Sequence, residues 1–343
     1  MESSDRLVSL LRKVVDGGDL NLEESKTCAE IIMEGKVPPE IVSALLVALR
    51  MKGEASDEIA GFAYKMIEKA LKPEISFDVV DTCGTGGDLA HTFNASTASA
   101  IVLSSMGFPI AKHGNRAVSS AVGSADILEK IGVKIDSKPD EIKSELESKN
   151  FVFLFAPLYH PAMKNVAPIR RQLGIRTIFN FLGPITNPLR PKAQLIGVMS
   201  KEVARKIAQA ILVLGSPKKA FLVVGSIDGS ENKIDEVSVC GDTLFIEIDG
   251  SSIRSEFTVS PSDFGAKKVS IESLRYKDPV SDFVDTLSGK GREELVDFVS
   301  VNVASALYLL GKVKSFSEGF EVSKNFIISQ KVVPHLSKLR GLS

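Results

Sequence analysis

The residues with the clearest chemical potential lie in the segment 79–100, VVDTCGTGGDLAHTFNASTASA. An apolar run is followed by Gly84, Gly86 and Gly87, and then by Asp88. A strand, a glycine loop and a helix start in this order are typical of phosphate binding, because backbone N–H groups meet the positive end of a helix dipole there. Asp88 would repel a bare phosphate, so the pattern indicates a phosphate accompanied by a cation or by sugar hydroxyls.

The glycine segment matches no complete nucleotide-binding fingerprint. No Lys-Ser or Lys-Thr follows the glycines, as a Walker loop requires. Leu89 occupies the position of the third glycine of a dinucleotide fingerprint, and no acidic residue follows about 20 residues later. The loop by itself is equally compatible with phosphate binding and with a tight strand-to-helix turn that binds nothing.

A second polar cluster follows the strand predicted at 109–111. The segment 112–120, KHGNRAVSS, combines cationic, amide and hydroxyl groups with a glycine, which suits a phosphate or a carboxylate ligand. Gly123 and Ser124 then begin a helix predicted over 125–131, whose N-terminus adds N–H donors for an anion. The alternative is a solvated loop without a ligand, but the density of polar groups favours a binding site.

A helix after the strand predicted at 151–155 contains several arginines. The guanidinium of Arg170, Arg171 or Arg176 could bind a substrate carboxylate through two parallel hydrogen bonds. The alternative for each arginine is a solvated position on the helix surface.

Adjacent carboxylates, Asp235 and Glu236, follow the strand predicted at 221–224. Neighbouring side chains on an extended chain point in different directions, so the two carboxylates can hold different partners. Mg²⁺ usually bridges one or two carboxylates to substrate phosphates, which makes this pair a candidate metal site. An ordinary acidic loop would be the better interpretation if the chain had no phosphate site elsewhere.

Composition limits the classes of protein to consider. The chain has 343 residues and a formal net charge of −1, which gives no electrostatic footprint for nucleic acid or an anionic membrane. No apolar run reaches the length of a membrane span, and charges interrupt the apolar pattern at the N-terminus, so we expect neither an anchor nor a signal peptide. Three widely spaced cysteines form no zinc or redox motif and fit reduced thiols in a cytoplasm.

The elements that must position these residues follow two different patterns. Residues 1–72 predict a small all-helical domain of four helices, with a capping box at Asn21 and Glu24, a cap at Ser56 and an end at Pro73. The third of these helices is apolar around much of its circumference, so it forms the bundle core or meets another subunit.

From about residue 74, apolar runs alternate with helical segments. This alternation indicates a large α/β domain with a mostly parallel sheet flanked by helices, and ligands at the C-terminal ends of its strands. The runs predicted as strands are 77–80, 109–111, 133–135, 151–155, 194–198 and 221–224. After Glu236 we expect a small antiparallel element containing an SVSVC-like run (VSVC at 237–240), TLFIEI and FTVSP, and two helices over 295–310 and 316–331.

Taken together, these motifs resemble one family, the anthranilate phosphoribosyltransferases. The resemblance is carried in chain order by DTCGTGGD, TFNAST, KHGNRAVSS, GSADILE, HPAMKNVAPIRRQLGIRTIFNFLGPITNP and IDEVS. It implies transfer of the phosphoribosyl group of phosphoribosyl pyrophosphate (PRPP) to the amine of anthranilate, with release of pyrophosphate, in tryptophan biosynthesis. It also implies a nucleoside-phosphorylase-like fold in which the segment around 164–182 completes the helical domain, leaving 73–163 and 183–343 as the α/β domain.

The resemblance assigns roles to individual positions. It implies that PRPP is bound by Gly84, Gly87, Asp88, Thr92, Asn94, Ser96, Thr97, Lys112, Ser119, Ser120 and Ser124. It implies that anthranilate contacts Gly84, Asn115, Arg170, His113 and His160, with Arg170 facing the carboxylate. It implies that Mg²⁺, two ions per active site, is held with the help of Ser96, Asp235 and Glu236. No residue is identified as a general base.

The same resemblance implies a cytoplasmic homodimer that pairs through the helical domain and binds neither nucleic acid nor membrane. One departure from the family pattern is the segment IDGSENK before the acidic pair, where relatives have a short glycine turn, so the placement of Asp235 and Glu236 stays open. The alternatives are a related phosphoribosyltransferase with another acceptor and a pyrimidine nucleoside phosphorylase. The latter would use inorganic phosphate without metal, which the acidic pair disfavours.

Overall fold

The computed structural model describes residues 2–86, 92–117 and 122–342. Within these ranges the helices are α1 (Glu2–Val15), α2 (Leu22–Glu34), α3 (Pro39–Lys52), α4 (Ser56–Glu68), α5 (Ala95–Ser105), α6 (Ser124–Lys130), α7 (Ile142–Lys149), α8 (Ala156–Tyr159), α9 (Ala167–Leu173), α10 (Phe179–Leu182), α11 (Lys201–Leu214), α12 (Pro261–Phe264), α13 (Pro279–Leu287), α14 (Glu293–Leu309), α15 (Phe316–Ile328) and α16 (Val333–Leu339). The strands are β1 (Val80–Gly84), β2 (Ile110–Gly114), β3 (Phe151–Phe155), β4 (Ala193–Gly197), β5 (Lys219–Ser226), β6 (Lys233–Ile234), β7 (Thr243–Asp249) and β8 (Ser252–Val259).

The strands form one mixed sheet in the order β3-β2-β1-β4-β5-β7-β8, with the short β6 paired to β5. The first five strands of that order are parallel, and β6, β7 and β8 continue the sheet antiparallel. Parallel strands must be covered on both faces. On β5, Phe221 and Val223 face the core formed with α5 and α14, whereas Leu222 and Val224 face the core shared with the N-terminal helices. The predicted α/β fold class is confirmed.

The N-terminal helices begin and end at local signals. Asn21 and Glu24 form the predicted capping box of α2, and Gly35 ends that helix in the left-handed conformation. The predicted cap of α4 was one residue off, because the buried Glu58 carboxylate accepts from the backbone N–H of Ala55 and so makes Ala55 the N-cap. This helix ends at Glu68, several residues before the predicted stop at Pro73.

Helix α3 supplies the centre of the bundle. Its residues Val42, Leu45, Leu46 and Leu49 are buried, whereas Met51 is 84% exposed. The apolar character noticed in the sequence is therefore explained mainly by the bundle core, with one large apolar side chain left at the surface.

The segment after β3 returns to the helical bundle. Val166, Ile169 and Phe179 are buried in the same cluster as the side chains of α2, α3 and α4. The ring of Phe179 meets that of Phe62 of α4 edge-on at 5.6 Å. The same cluster also contains Ile196 of β4 and Leu222 of β5, so the division into 1–72 with about 164–182 and an α/β domain stays a prediction.

Two predicted strands are wrong. The run 133–135 is buried, but it follows directly on the end of α6 at Gly132. The backbone N–H of Val133 donates to the carbonyl of Leu128, and the run pairs with no strand of the sheet. The VSVC segment, 237–240, is irregular because side chains accept its backbone hydrogen bonds: the N–H of Val237 donates to Oδ1 of Asn302, and that of Ser238 to Oγ1 of Thr243.

The predicted strand 77–80 overlaps β1 (Val80–Gly84) only at Val80, because the pairing with β4 begins at that residue. The C-terminal helices lie closer to their predicted positions. The helix expected over 295–310 is α14, and that expected over 316–331 is α15, with α16 as an additional helix. Among the described residues, no helix is long and apolar enough to cross a membrane.

Candidate active site

Asp235 and Glu236 lie across the C-terminal ends of the parallel strands. The N–H of Gly86, in the glycine loop after β1, donates to Oδ2 of Asp235 at 2.7 Å. The N–H of Ser96, at the start of α5, donates to Oε1 of Glu236 at 2.8 Å. The acidic pair therefore connects the glycine loop to the helix that follows it, and the intervening IDGSENK segment does not remove the pair from this edge of the sheet.

Strands β1, β4 and β5 each have a glycine at the point where the segment containing Asp235 and Glu236 packs against them. A Cβ atom at Gly84 of β1 would overlap the carboxylate of Asp235, and one at Gly197 of β4 would overlap the carbonyl of Asp235. A Cβ at Gly225 of β5 would lie 2.5 Å from the carbonyl oxygen of Glu236. These glycines are required because the backbone of the acidic segment packs directly on the strand ends.

A buried lysine lies beneath the glycine loop. Lys112 of β2 is 2% exposed, and its Nζ donates to the carbonyl of Thr82 at 2.6 Å and lies 3.5 Å from Oγ of Ser96. An ammonium held against the start of α5 adds positive charge where backbone donors already converge. This arrangement suits an anion.

A buried carboxylate that the sequence analysis did not single out lies behind this lysine. Asp81 of β1 is fully enclosed, and its Oδ2 accepts from Nδ2 of Asn187 at 3.0 Å and from Nε2 of Gln194 at 3.2 Å. Burial raises the pKa of Asp81 to about 6, and the charge of Lys112 opposes that rise. These hydrogen bonds to Asp81 connect Asn187, in the loop after α10, to strands β1 and β4.

The second predicted loop lies beside the first. Oγ of Ser124, at the start of α6, donates to the carbonyl of Asn115 at 3.1 Å. Arg116 forms ion pairs with Asp126 and Glu129, so this guanidinium holds α6 to the loop. Asn115 itself is exposed at the end of β2.

The two predicted histidines meet in a buried pair. The rings of His113 and His160 lie 5.1 Å apart in an edge-on arrangement, and Nδ1 of His113 donates to the carbonyl of Gly183 at 2.9 Å. Burial lowers the pKa of His113 to about 3, with the neighbouring His160 adding to the effect, and burial lowers that of His160 to about 4. Both rings are therefore neutral at physiological pH.

This burial predicts a pH-dependent stability. The folded state keeps His160 neutral down to about pH 4, whereas the unfolded chain binds a proton near pH 6.5, so acid favours unfolding between these values. On lowering the pH from 7 to 5, wild type should lose about 2 kcal/mol of unfolding free energy relative to His160→Gln.

Denaturant unfolding of both proteins at the two pH values measures this difference. Comparing the variant with wild type cancels the opposite contribution of Asp81, which both proteins carry. If the difference in unfolding free energy between wild type and His160→Gln were the same at pH 7 and pH 5, His160 would take up its proton equally in the folded and unfolded states, and burial would not lower its pKa.

The arginines of the α9 segment have three different environments. The half-buried guanidinium of Arg170 lies 5.7 Å from the ring centre of Phe179, and burial lowers its pKa. Within 2–86, 92–117 and 122–342, no carboxylate lies within ion-pair distance of Arg170. Arg171 is exposed, and Arg176 donates to the carbonyl of Gly86. Arg170 is thus the member of the group whose charge is enclosed without a carboxylate partner among the described residues.

The structure thus brings several predicted residues to one edge of the sheet: Gly84, Asn94, Ser96, Lys112, Asp235 and Glu236. Thr97 is buried on the first turn of α5, and Thr92 pairs with Arg275 in an isolated bridge. Gly87, Asp88, Ser119 and Ser120 lie outside the described residues.

The donor set at this edge is compatible with Mg²⁺. The two carboxylates and the Ser96 hydroxyl are hard oxygen ligands of the kind Mg²⁺ takes. Among the residues that the structure describes, no group of three or more His, Cys, Asp or Glu side chains could hold a metal by itself. Mg²⁺ in proteins usually takes one or two carboxylates, with water and substrate phosphates as its other ligands.

Comparison with known proteins gives a consistent result along the whole chain. Residues 8–70 match the helical bundle domain of a glycosyl transferase family, and residues 76–331 match its a/b domain. Anthranilate phosphoribosyltransferase of Persephonella marina is 44% identical over 97% of this chain and 98% of its own length, and that of Geobacillus kaustophilus is 41% identical over 98% of each.

Solved structures give the same picture. The crystal structure of anthranilate phosphoribosyltransferase from Thermus thermophilus superposes with a TM-score of 0.87 at 34% identity, over 97% of this chain and 98% of the other. The Saccharomyces cerevisiae enzyme in complex with PRPP and Mg gives a TM-score of 0.88 at 27% identity, over 98% and 97%.

Proposed function

The chain belongs to the anthranilate phosphoribosyltransferase family, and from this membership we propose that it transfers the phosphoribosyl group of PRPP to the amine of anthranilate. The products are N-(5-phosphoribosyl)anthranilate and pyrophosphate. The reaction is an intermediate step of tryptophan biosynthesis. The single observation that carries the proposal is the cluster at the strand ends, where anion donors and two carboxylates meet. A transferase that handles a pyrophosphate with Mg²⁺ needs both.

The donor substrate binds at the glycine loop and α5. The buried ammonium of Lys112 and the positive end of the α5 dipole offer positive potential to the phosphates. Asp235 and Glu236 would hold Mg²⁺, two ions per active site, with Ser96 contributing a hydroxyl. Bound Mg²⁺ supplies neutralisation of the charge that develops on the leaving pyrophosphate.

The acceptor binds on the side of α9. Arg170 faces the anthranilate carboxylate, because its half-buried guanidinium has no carboxylate partner in the described part of the chain. Asn115 and the two histidines line the same region. The family resemblance assigns Gly84, at the end of β1, to both substrates.

The reaction replaces one bond at the anomeric carbon of the ribose. The C1–O bond to pyrophosphate breaks with its electron pair going to the leaving oxygen, and a C1–N bond forms from the lone pair of the amine. The amine then loses one proton to solvent or to the released pyrophosphate. Anthranilate is a weakly basic amine that is unprotonated at neutral pH, so positioning contributes more than activation.

The histidines do not act as strong bases in this scheme. Burial lowers the pKa of His113 to about 3 and that of His160 to about 4, so each ring accepts a proton poorly. Their neutral rings instead provide an uncharged wall beside the acceptor, and no side chain is assigned as general base.

The reaction can be followed by the fluorescence of anthranilate. We expect a fall in fluorescence only when PRPP, Mg²⁺ and protein are all present. Omission of each component in turn is the control. Folded protein that leaves the fluorescence unchanged with all components present would remove anthranilate as the acceptor, and aniline and other aromatic amines would be tested next.

The family membership also supports a cytoplasmic homodimer that forms through the helical domain. The exposed Met51 of α3, together with Val15 at the end of α1 (67% exposed), offers apolar surface on this unit. Sedimentation equilibrium at micromolar protein would give the mass of the monomer if the proposal is wrong.

A further inference from the structure

Three separate parts of the chain meet at Asn94, the residue before α5. Oδ1 of Asn94 accepts from the hydroxyl of Tyr276 at 2.7 Å, and the backbone N–H of Asn94 donates to the same hydroxyl oxygen at 3.1 Å. Nδ2 of Asn94 donates to the carbonyl of Val122, just before α6, at 3.1 Å. Asn94 therefore connects the start of α5, the loop before α6 and the segment before α13.

Tyr276 is firmly held at this junction. Its ring lies 5.2 Å from that of Phe93, which stacks in turn on Phe283 of α13 at 5.4 Å. The neighbouring backbones pair, because the N–H of Phe93 donates to the carbonyl of Leu274 at 2.9 Å. Burial raises the pKa of Tyr276, so its hydroxyl keeps the proton that it donates to Asn94.

This contact changes what Asn94 does for α5. An asparagine at an N-cap normally turns its side-chain oxygen onto the N–H of the second or third helical residue. Asn94 makes no such bond, since Tyr276 occupies its Oδ1. The N–H of Ser96, the second helical residue, instead donates to Glu236. The other N–H groups of the first turn also have acceptors: that of Ala95 donates to the carbonyl of Phe93, and that of Thr97 to the carbonyl of Asn94. The hydroxyl of Tyr276 thus fixes the orientation of the Asn94 side chain away from its own helix.

We propose that Tyr276 is a positioning residue for the phosphate end of PRPP, acting through the side chain of Asn94. The proposal rests on the proposed function for the identity of the donor substrate. Without the tyrosine hydroxyl, the Asn94 side chain, which the family resemblance assigns to PRPP, loses the hydrogen bond that fixes its orientation.

The Tyr276→Phe variant tests this role. We expect the KM for PRPP to rise about tenfold, which is the loss of one buried hydrogen bond, while kcat and the KM for anthranilate change less than about threefold. Tyr308→Phe is the matched control, because Tyr308 lies on α14 in a different aromatic cluster, with Phe221 and Phe316. Equal losses of melting temperature in both variants, with no separation of the two KM values, would overturn the proposal.

Calorimetric titration with PRPP and Mg²⁺, without anthranilate, separates this inference from the proposed function. Wild-type protein that binds PRPP but converts no anthranilate disproves the acceptor, and the Tyr276→Phe comparison still stands. Equal PRPP affinity in wild type and Tyr276→Phe disproves the positioning role whatever the acceptor.

A double-mutant cycle identifies the route of the effect. In an Asn94→Ala background the tyrosine hydroxyl has lost its side-chain partner, so Tyr276→Phe should add less than about twofold to the KM for PRPP. Independent, multiplying effects of the two substitutions would show that Tyr276 does not act through Asn94.

Discussion

Gly197→Ala is expected to lower kcat/KM by about 100-fold and to raise the Mg²⁺ concentration for half-maximal rate by roughly 10-fold or more. The added methyl group would overlap the carbonyl of Asp235, so the acidic segment must move off the end of β4. The carboxylates of Asp235 and Glu236 would move with it. Mg²⁺ titrations of the initial rate, at saturating anthranilate and PRPP, measure the effect.

Two variants show whether the loss arises at the acidic pair. Asp235→Asn removes the charge without adding volume and should shift the Mg²⁺ titration in the same direction. Ile196→Val removes one methylene group from the neighbouring position of β4, costs about 1 kcal/mol of stability and should leave the titration unchanged. A folded Gly197→Ala protein with the Mg²⁺ response of wild type would contradict the metal role of the acidic pair.

Arg170→Ala is expected to raise the KM for anthranilate by roughly 10- to 100-fold, because a hydrogen-bonded charge pair contributes about 1.5–3 kcal/mol. The KM for PRPP should change less than about twofold, since the phosphate donors lie around α5 and Lys112. Steady-state kinetics with each substrate varied at saturating levels of the other separates the two constants.

Arg171→Ala provides the matched control for this experiment. Arg171 has the same charge one residue away but is exposed to solvent, so its loss should alter neither KM. Aniline, which lacks the carboxylate, gives a second comparison: any turnover of aniline should be similar in wild type and Arg170→Ala. Equal increases in both KM values would remove Arg170 from the acceptor site.

Local signals in the chain were sufficient to predict most of the elements. The capping box at Asn21 and Glu24 specifies where α2 begins, and the buried run at 221–224 predicts a central strand, because both depend on short-range chemistry. The run 133–135 shows the limit of this reasoning. Its apolar pattern is that of a strand, but β3 forms the edge of the sheet beside β2, and the run only fills space in the core.

The site was predictable to a smaller extent. The glycine loop and the acidic pair could be recognised as residue types, and the resemblance to a family placed them together. Their relative geometry depends on contacts that no local pattern encodes, such as the exclusion of a Cβ at Gly197 by Asp235. Tyr276 left no signal at all in the sequence, because its partner Asn94 is 182 positions away.

The hairpin between β5 and β6 has a practical consequence for protein engineering. Gly225 pairs with Ile234 and Ser226 with Lys233, so the chain is clamped immediately before Asp235, while the tip at 228–232 is exposed to solvent. The number of residues in the tip can therefore change without moving the carboxylates of Asp235 and Glu236. We expect the tip to tolerate insertion of a peptide tag or a reporter domain close to the active site, with the two carboxylates left in place.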